Sequence, residues 1–283
     1  MSDDAQVVVL PDADSVSAEA ASRIAAALSS AAQARGRADW STTGGSAAPG
    51  IYRHLAEPPF NHDVPWDRVH LWWGDERYVP RDDRRSNAMP ADEILLRFGA
   101  RGGESGWGET GLDFLTGEEP AAQIPVANVH AIPAGPAIGA AGGPEWAAER
   151  YEQELRESGI AVDAGWPVFD LLLLGVGPDG HILSVFPGSA AFDRTEWALA
   201  IPAPSHVEPH VARITLNPGV VEAARSVLVV STGESKAAVL GRVFGSERDP
   251  RTWPAQLARR AGATWLLDQA AAAGIPAGQR SGR

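Results

Sequence analysis

Residues 169–189, FDLLLLGVGPDGHILSVFPGS, restrict the fold more than any other stretch of the chain. Five apolar residues with Asp170 among them, bounded by glycine, predict a strand buried on both faces in a parallel sheet. Gly175, Gly177 and Gly180 then permit a tight turn, Pro178 stiffens it, and two ionisable side chains, Asp179 and His181, stand at the strand's exit. In open α/β sheets ligands bind outside the carboxyl ends of strands, so chemistry would be sited here. A glycine-rich turn can equally do no more than reverse the chain. The stretch alone leaves both readings open.

At 283 residues and 44% hydrophobic content, the chain can bury one large core or two smaller ones joined closely. A net charge of -12 argues against a nucleic-acid partner, which would be held by a surplus of Lys and Arg. With no cysteine, disulfides, zinc-thiolate sites, Fe–S clusters and thiolate nucleophiles are excluded. The opening residues MSDDAQVVVL are acidic and lack a long apolar run, so neither a secretory signal nor a membrane span is expected and a cytoplasmic location follows.

Along the chain, residues 7–10 are a strand candidate, and 15–35 form an alanine-rich helix closed by Gly36. A strand at 38–42 runs into Thr43, Gly44, Gly45 and Ser46, and a helix begins after Ala47. Free amides at such a helix start, with the two hydroxyls, suit a phosphate, although a plain βα turn would look the same. A strand at 69–73 ends at Gly74, where Asp75, Glu76 and Arg77 begin. These charges are either a solvated ion pair or an Arg fork for an oxyanion steadied by adjoining acids. Ser86 is expected to cap a helix reaching about residue 97, and 99–120 carries no chemical motif.

Residues 135–144 read as a mobile loop ahead of a helix at 145–158, and strands are expected at 197–201, 211–216 and 226–230. Lys236, in the first turn of the helix after the last strand, opposes the macrodipole, and an anion at that end would explain it. His206 and His210 bracket Glu208, but Pro209 breaks the turn that would aim both at one metal, so no metal site is expected. His54, His62, His70 and His130 have no partners in sequence. No Gly-x-Ser-x-Gly elbow exposes Ser184, which is placed inside a helix starting near His181. Acyl chemistry here would use water activated by a general base, with His181 the candidate.

FDLLLLGVGPDGHILSVFPGS closely resembles the 6-phosphogluconolactonase family pattern of a strand, Gly-x-Gly-x-Asp-Gly-His and a Ser-Leu-Phe-Pro-Gly tail. GDERYVP with Ser86 and Asn87 resembles the second motif, TTGGSAAP the Ser-Gly-Gly-Ser-Thr-Pro loop, and RITLNPGVVEAARSVLVVSTGESKAAVL the third block, in order along nearly the whole chain. The phosphate loop departs most, with Thr42 and Thr43 ahead of the glycines and Ala47 and Ala48 in place of Thr-Pro. The resemblance implies one domain over 1–283, a Rossmann-like parallel sheet flanked by helices of the glucosamine-6-phosphate deaminase and ribose-5-phosphate isomerase type, with a small extra α/β lobe. It implies hydrolysis of 6-phosphoglucono-1,5-lactone without metal or organic cofactor.

In that reading His181 activates water, Asp179 positions the base or the sugar, and Arg77 faces the developing charge. Gly44, Gly45, Ser46, Arg213 and Lys236 hold the 6-phosphate, with Asp75 beside them. The expected partner is a small sugar-phosphate lactone, with neither nucleic acid nor membrane, and the protein a monomer or weak dimer. Deaminases share the turn but follow it with Phe-Asn-Glu-Pro, whose acid serves ring opening; here Val185, Phe186, Pro187 and Gly188 carry none. A sugar-phosphate sensor would carry a DNA-binding helix-turn-helix, for which there is no basic segment.

Overall fold

The computed structural model describes residues 5–97, 120–245 and 247–279, and the 99–120 stretch except Pro120 lies outside them. Twelve strands form among the described residues: β1 (Gln6–Leu10), β2 (Ala38–Thr42), β3 (Val69–Trp73), β4 (Asp75–Arg77), β5 (Val129–His130), β6 (Val162–Asp163), β7 (Trp166–Pro167), β8 (Leu171–Gly175), β9 (Ala198–Ile201), β10 (Arg213–Leu216), β11 (Val227–Ser231) and β12 (Ala263–Asp268). Seven make a parallel sheet in the order β1-β12-β11-β8-β2-β3-β5. β2 and β11 are buried at every residue and β8 from Leu171 to Leu174, as central strands covered by helices on both faces must be.

The acid inside the apolar run is compensated. Asp170 accepts from the Asp39 amide at 2.9 Å and pairs with Arg35 at 2.7 Å and Arg225 at 3.1 Å, so the strand's entry carries no unmatched charge. The helix Ala13–Arg35 is capped by Asp12, which accepts from the Ser15 amide, and stops at Gly36 in the left-handed region at φ 75°. Its Val16, Ile24 and Leu28 are buried, and it packs on the helix Ala48–Leu55 and on β12.

Gly74 is the junction between two sheets. Its amide donates to Thr42 O in the main sheet, while its carbonyl accepts from the Leu216 amide in the second. A β-carbon there would lie 2.6 Å from Leu183 Cδ2, so any larger residue would make that buried side chain shift. Beyond it, β4 pairs antiparallel with β10, and β10 with β9. The helix Gly143–Glu157 packs on β9 and β10, completing the small extra lobe. Tyr151 on this helix ties the lobe to the main sheet, its hydroxyl accepting from Trp73 N and donating to Trp73 O.

Three local expectations are corrected. The 135–144 segment is not a loop: Ala134–Gly139 and Gly143–Glu157 are helices, and Pro136 and Pro144 fall in first turns, where a missing N–H removes no intrahelical bond. No helix starts near His181. Gly180 at φ 85° and Leu183 at φ 55° turn the chain too sharply, and Ile182 bridges to Val185. Ser86 is not the N-cap: the helical segment begins at Met89 after Ala88, while the Ser86 hydroxyl donates to Glu76 and accepts from the Ala88 amide at 3.1 Å. Among the described residues no helix is long and apolar enough to cross a membrane.

Candidate active site

The carboxyl ends of β2, β8 and β11 open into one cleft, walled on its far side by β4 and β10. Gly44, Gly45, Ser46, Asp75, Arg77, His181, Arg213 and Lys236 all line it. Asp179 stands behind His181. All nine residues singled out from the sequence therefore gather at one place, although they come from five separate segments.

At the exit of β8, His181 Nδ1 lies 2.5 Å from Asp179 Oδ1, and the His181 amide donates to the same oxygen at 3.2 Å. Burial pushes the Asp179 carboxyl up, but hydrogen bonds and charge from His181, with a further bond from His206, outweigh it and hold the group well below the usual carboxylate range. An ionised Asp179 is acceptor-only, so the Nδ1 it faces carries the proton, and in the neutral ring Nε2 is the nitrogen with the lone pair. Gly177 makes room for the ring: a β-carbon there would sit 2.0 Å from Cε1 and 2.1 Å from Nδ1. Phe186, from the turn's apolar tail, packs against the imidazole with ring centroids 4.6 Å apart.

Three cations face this imidazole's cleft. Arg77 and Arg213 are directly opposite each other in the β4–β10 register. Neither they nor Lys236 forms a salt bridge with a carboxylate among the described residues. Each instead spends one donor on a backbone carbonyl: Arg77 on Arg85 O at 2.6 Å, Arg213 on Pro209 O at 2.8 Å and Lys236 on Val176 O at 2.8 Å. Burial and the neighbouring Arg77 push Arg213 down, opposed by Asp75 and Glu76; burial lowers Lys236, opposed by Asp179. Four of the seven buried side-chain polar atoms without a partner among the described residues, Arg77 Nε, Arg213 Nε, Asn87 Oδ1 and Ser231 Oγ, belong to residues lining the cleft. Buried polar groups are normally satisfied, so their concentration beside three cations without carboxylate partners suits a polar ligand.

The acids of β4 build the wall. Glu76 is buried and accepts from Arg77 N, Ser86 Oγ, Asn87 N and Ala88 N, which pins the 86–88 turn beneath the cleft. Burial pushes its carboxyl up against the pull of those donors. Asp75 accepts from Asn87 Nδ2 at 3.1 Å and from Ser184 Oγ at 2.6 Å. The Ser184 hydroxyl is thus committed to a carboxylate and is no nucleophile. Gly44 lies so close to Asn87 that a β-carbon would fall 1.8 Å from Oδ1. Gly45 adopts φ 84°, and the helix that follows, Ala48–Leu55, has no side-chain cap on its amides.

Sequence reasoning missed His206 and Ser231. His206 Nε2 lies 2.9 Å from Asp179 Oδ2, a contact across 27 positions with no local signal. Ser231 ends β11, and its place at a carboxyl end was the available clue. His206 and His210 do not converge, for His210 turns to Pro204 O and Glu208. No group of three or more His, Asp or Glu side chains among the described residues is arranged to hold a metal ion.

Residues 11–266 match the family model described as glucosamine-6-phosphate isomerases/6-phosphogluconolactonase. The chain is 33% identical to a 6-phosphogluconolactonase of Streptomyces coelicolor over 282 residues, covering 98% of this chain and 97% of that one. A solved 6-phosphogluconolactonase from Trypanosoma cruzi superposes with a TM-score of 0.78 at 25% identity, covering 96% and 97% of the two chains. A monomeric glucosamine-6-phosphate deaminase shares the fold, with a TM-score of 0.70 at 17% identity over 94% of this chain and 98% of the other. With the motifs, the sheet order and these likenesses in agreement, the chain belongs to the glucosamine-6-phosphate isomerase/6-phosphogluconolactonase family.

Proposed function

We propose that this protein hydrolyses 6-phospho-D-glucono-1,5-lactone to 6-phospho-D-gluconate, the second step of the oxidative pentose phosphate pathway, with His181 as general base. What supports the reading most is one cleft holding both a carboxylate-backed imidazole and three cations without carboxylate counter-ions. His181 Nε2 takes a proton from water as the water oxygen attacks C1 of the lactone. The resulting tetrahedral oxyanion faces Arg77, and stabilising such developing charge commonly accelerates acyl transfer more than any other single effect. Collapse breaks the bond between C1 and the ring oxygen, which leaves with the proton from the imidazolium, and the product is a carboxylic acid that ionises.

The amides of Gly44 and Gly45, the Ser46 hydroxyl, Arg213 and Lys236 grip the 6-phosphate and hold C1 in line with the attacking water. Asp75 shapes the wall rather than touching the phosphate, because its carboxylate is occupied by Asn87 and Ser184 and would repel an anion. Stopped-flow or NMR measurement on freshly made lactone tests the reading, since spontaneous hydrolysis hides a weak enzyme. His181→Ala should fall close to the spontaneous rate while still binding product. Equal turnover by the variant would remove His181 from the mechanism.

A further inference from the structure

The geometry points to His206 as a positioning residue for the Asp179–His181 pair, docking on the second oxygen of Asp179 and bracing His181 through Phe186. The inference rests on the lactonase reading of the cleft and adds to it a residue 25 positions beyond the turn that carries the base.

His206 lies on the proline-rich connection between β9 and β10, and its side chain is 54% exposed. An imidazole so exposed has little packing reason to hold one position. Its ring is nevertheless held twice: Nε2 is 2.9 Å from Asp179 Oδ2, and the ring meets Phe186 edge to face with centroids 5.7 Å apart. Phe186 in turn packs on His181. Four side chains from two chain segments therefore close a ring, in which a carboxylate on one side and a phenyl group on the other link two imidazoles.

The consequence lies in the carboxylate. Oδ1 serves the His181 ring and amide, whereas His206 supplies the side-chain donor to Oδ2 among the described residues. With both oxygens engaged, the carboxylate plane cannot swing, and the acceptor stays in line with Nδ1 of His181. Outer partners of this kind set the orientation and basicity of the group they touch. Val207 and Glu208, the next residues along, line the cleft, so the same attachment holds part of its wall.

The charged groups around His206 are Asp179 and His181 from the turn after β8, Lys236 beyond Asp179, and the Glu208–His210 pair on its own segment. Removing the imidazole takes a donor from Asp179, leaving the carboxylate a stronger acceptor. The hydrogen bond to His181 Nδ1 then changes, and the carboxylate is free to turn out of line with the ring.

His206→Ala and His206→Gln test this in the full chain with fresh lactone, alongside the NMR signals of the His181 imidazole. For His206→Ala we expect kcat lower by about tenfold, the low end for outer-shell partners, with KM nearly unchanged and a displaced His181 Nδ1 proton signal. His206→Gln, whose amide also offers a donor, should recover most of the rate. Wild-type kcat and His181 signals in His206→Ala would overturn the proposal, as would a His206→Gln variant no better than alanine. Wild-type protein no faster than spontaneous hydrolysis would overturn the lactonase reading instead, and the His181 signals would still decide the role of His206.

Discussion

Gly177→Ala isolates the placement of His181, the proposed base, from every other property of the site. Gly177 is not among the residues with positive φ, so the backbone accepts alanine without strain. The obstacle is the imidazole. The new β-carbon would sit 2.0 Å from Cε1 of His181, and ordinary contact begins at 3.4 Å, so the ring must move by about 1.4 Å or change rotamer. Either response breaks the 2.5 Å contact with Asp179. A misplacement near 1 Å can lower a rate by roughly 100-fold, which corresponds to about 2.7 kcal/mol of transition-state stabilisation. The expected result is kcat down by about that factor, with KM and melting temperature close to wild type, measured by stopped flow on fresh lactone. A cycle with His181→Ala sharpens the test: once the imidazole is gone the methyl group has room, so Gly177→Ala should have no further effect in that background. Wild-type kcat in Gly177→Ala, or additive losses in the double variant, would refute the reasoning.

Lys236→Ala should raise KM more than it lowers kcat if, as proposed, the ammonium grips the substrate's phosphate rather than the reacting atoms; an unchanged KM in steady-state kinetics would count against that role. Gly44→Ala should also raise KM, since its β-carbon displaces Asn87, whose side chain donates to the carbonyl and carboxylate of Asp75. Retained phosphate-analogue affinity by calorimetry would contradict it. A further expectation concerns folding and pH. His70, stacked near His130 and bonded to it at 2.9 Å, is pushed down from 6.5 to about 4 by burial and by Arg37, with Asp39 opposing. The unfolded chain therefore binds more protons between those values, so the stability this group contributes is complete above pH 6.5 and lost as pH falls towards 4. Urea midpoints should drop from pH 7 to pH 5, and His70→Gln should flatten the drop; parallel curves would remove His70 as the cause.

Much of the fold was legible because its signals are local. The runs that became β3, β8 and β11 are short, mostly apolar and closed by glycine or a hydroxyl residue, as burial on both faces favours, whereas β2 is buried although Asp39, Ser41 and Thr42 make it largely polar. Asp12 and Gly36 bound the first helix by caps that act within four residues. The failures came where distant partners overrode local preference. Ser86 has a good capping side chain, yet Glu76, buried and in need of donors, claims its hydroxyl. Residues 135–144 are rich in alanine and glycine, yet all but 140–142 belong to two helices whose Ala134, Ala137, Ala147 and Ala148 are buried against the core.

Chemical identity at the site was written in the order of residues: a strand, three glycines, an acid and an imidazole two positions apart define a turn that brings Asp179 and His181 together at a strand's carboxyl end. The meeting of groups was not. Arg77 faces Arg213 only because β4 and β10 pair in one register, Asp75 is withdrawn from the ligand only because Ser184 and Asn87 fold onto it, and His206 reaches Asp179 from a connection in the second sheet. Strand propensity and turn chemistry act over a few residues and survive in the sequence as pattern. Register, ion pairing and the sharing of one carboxylate between two imidazoles depend on distances through space, which no spacing along the chain encodes.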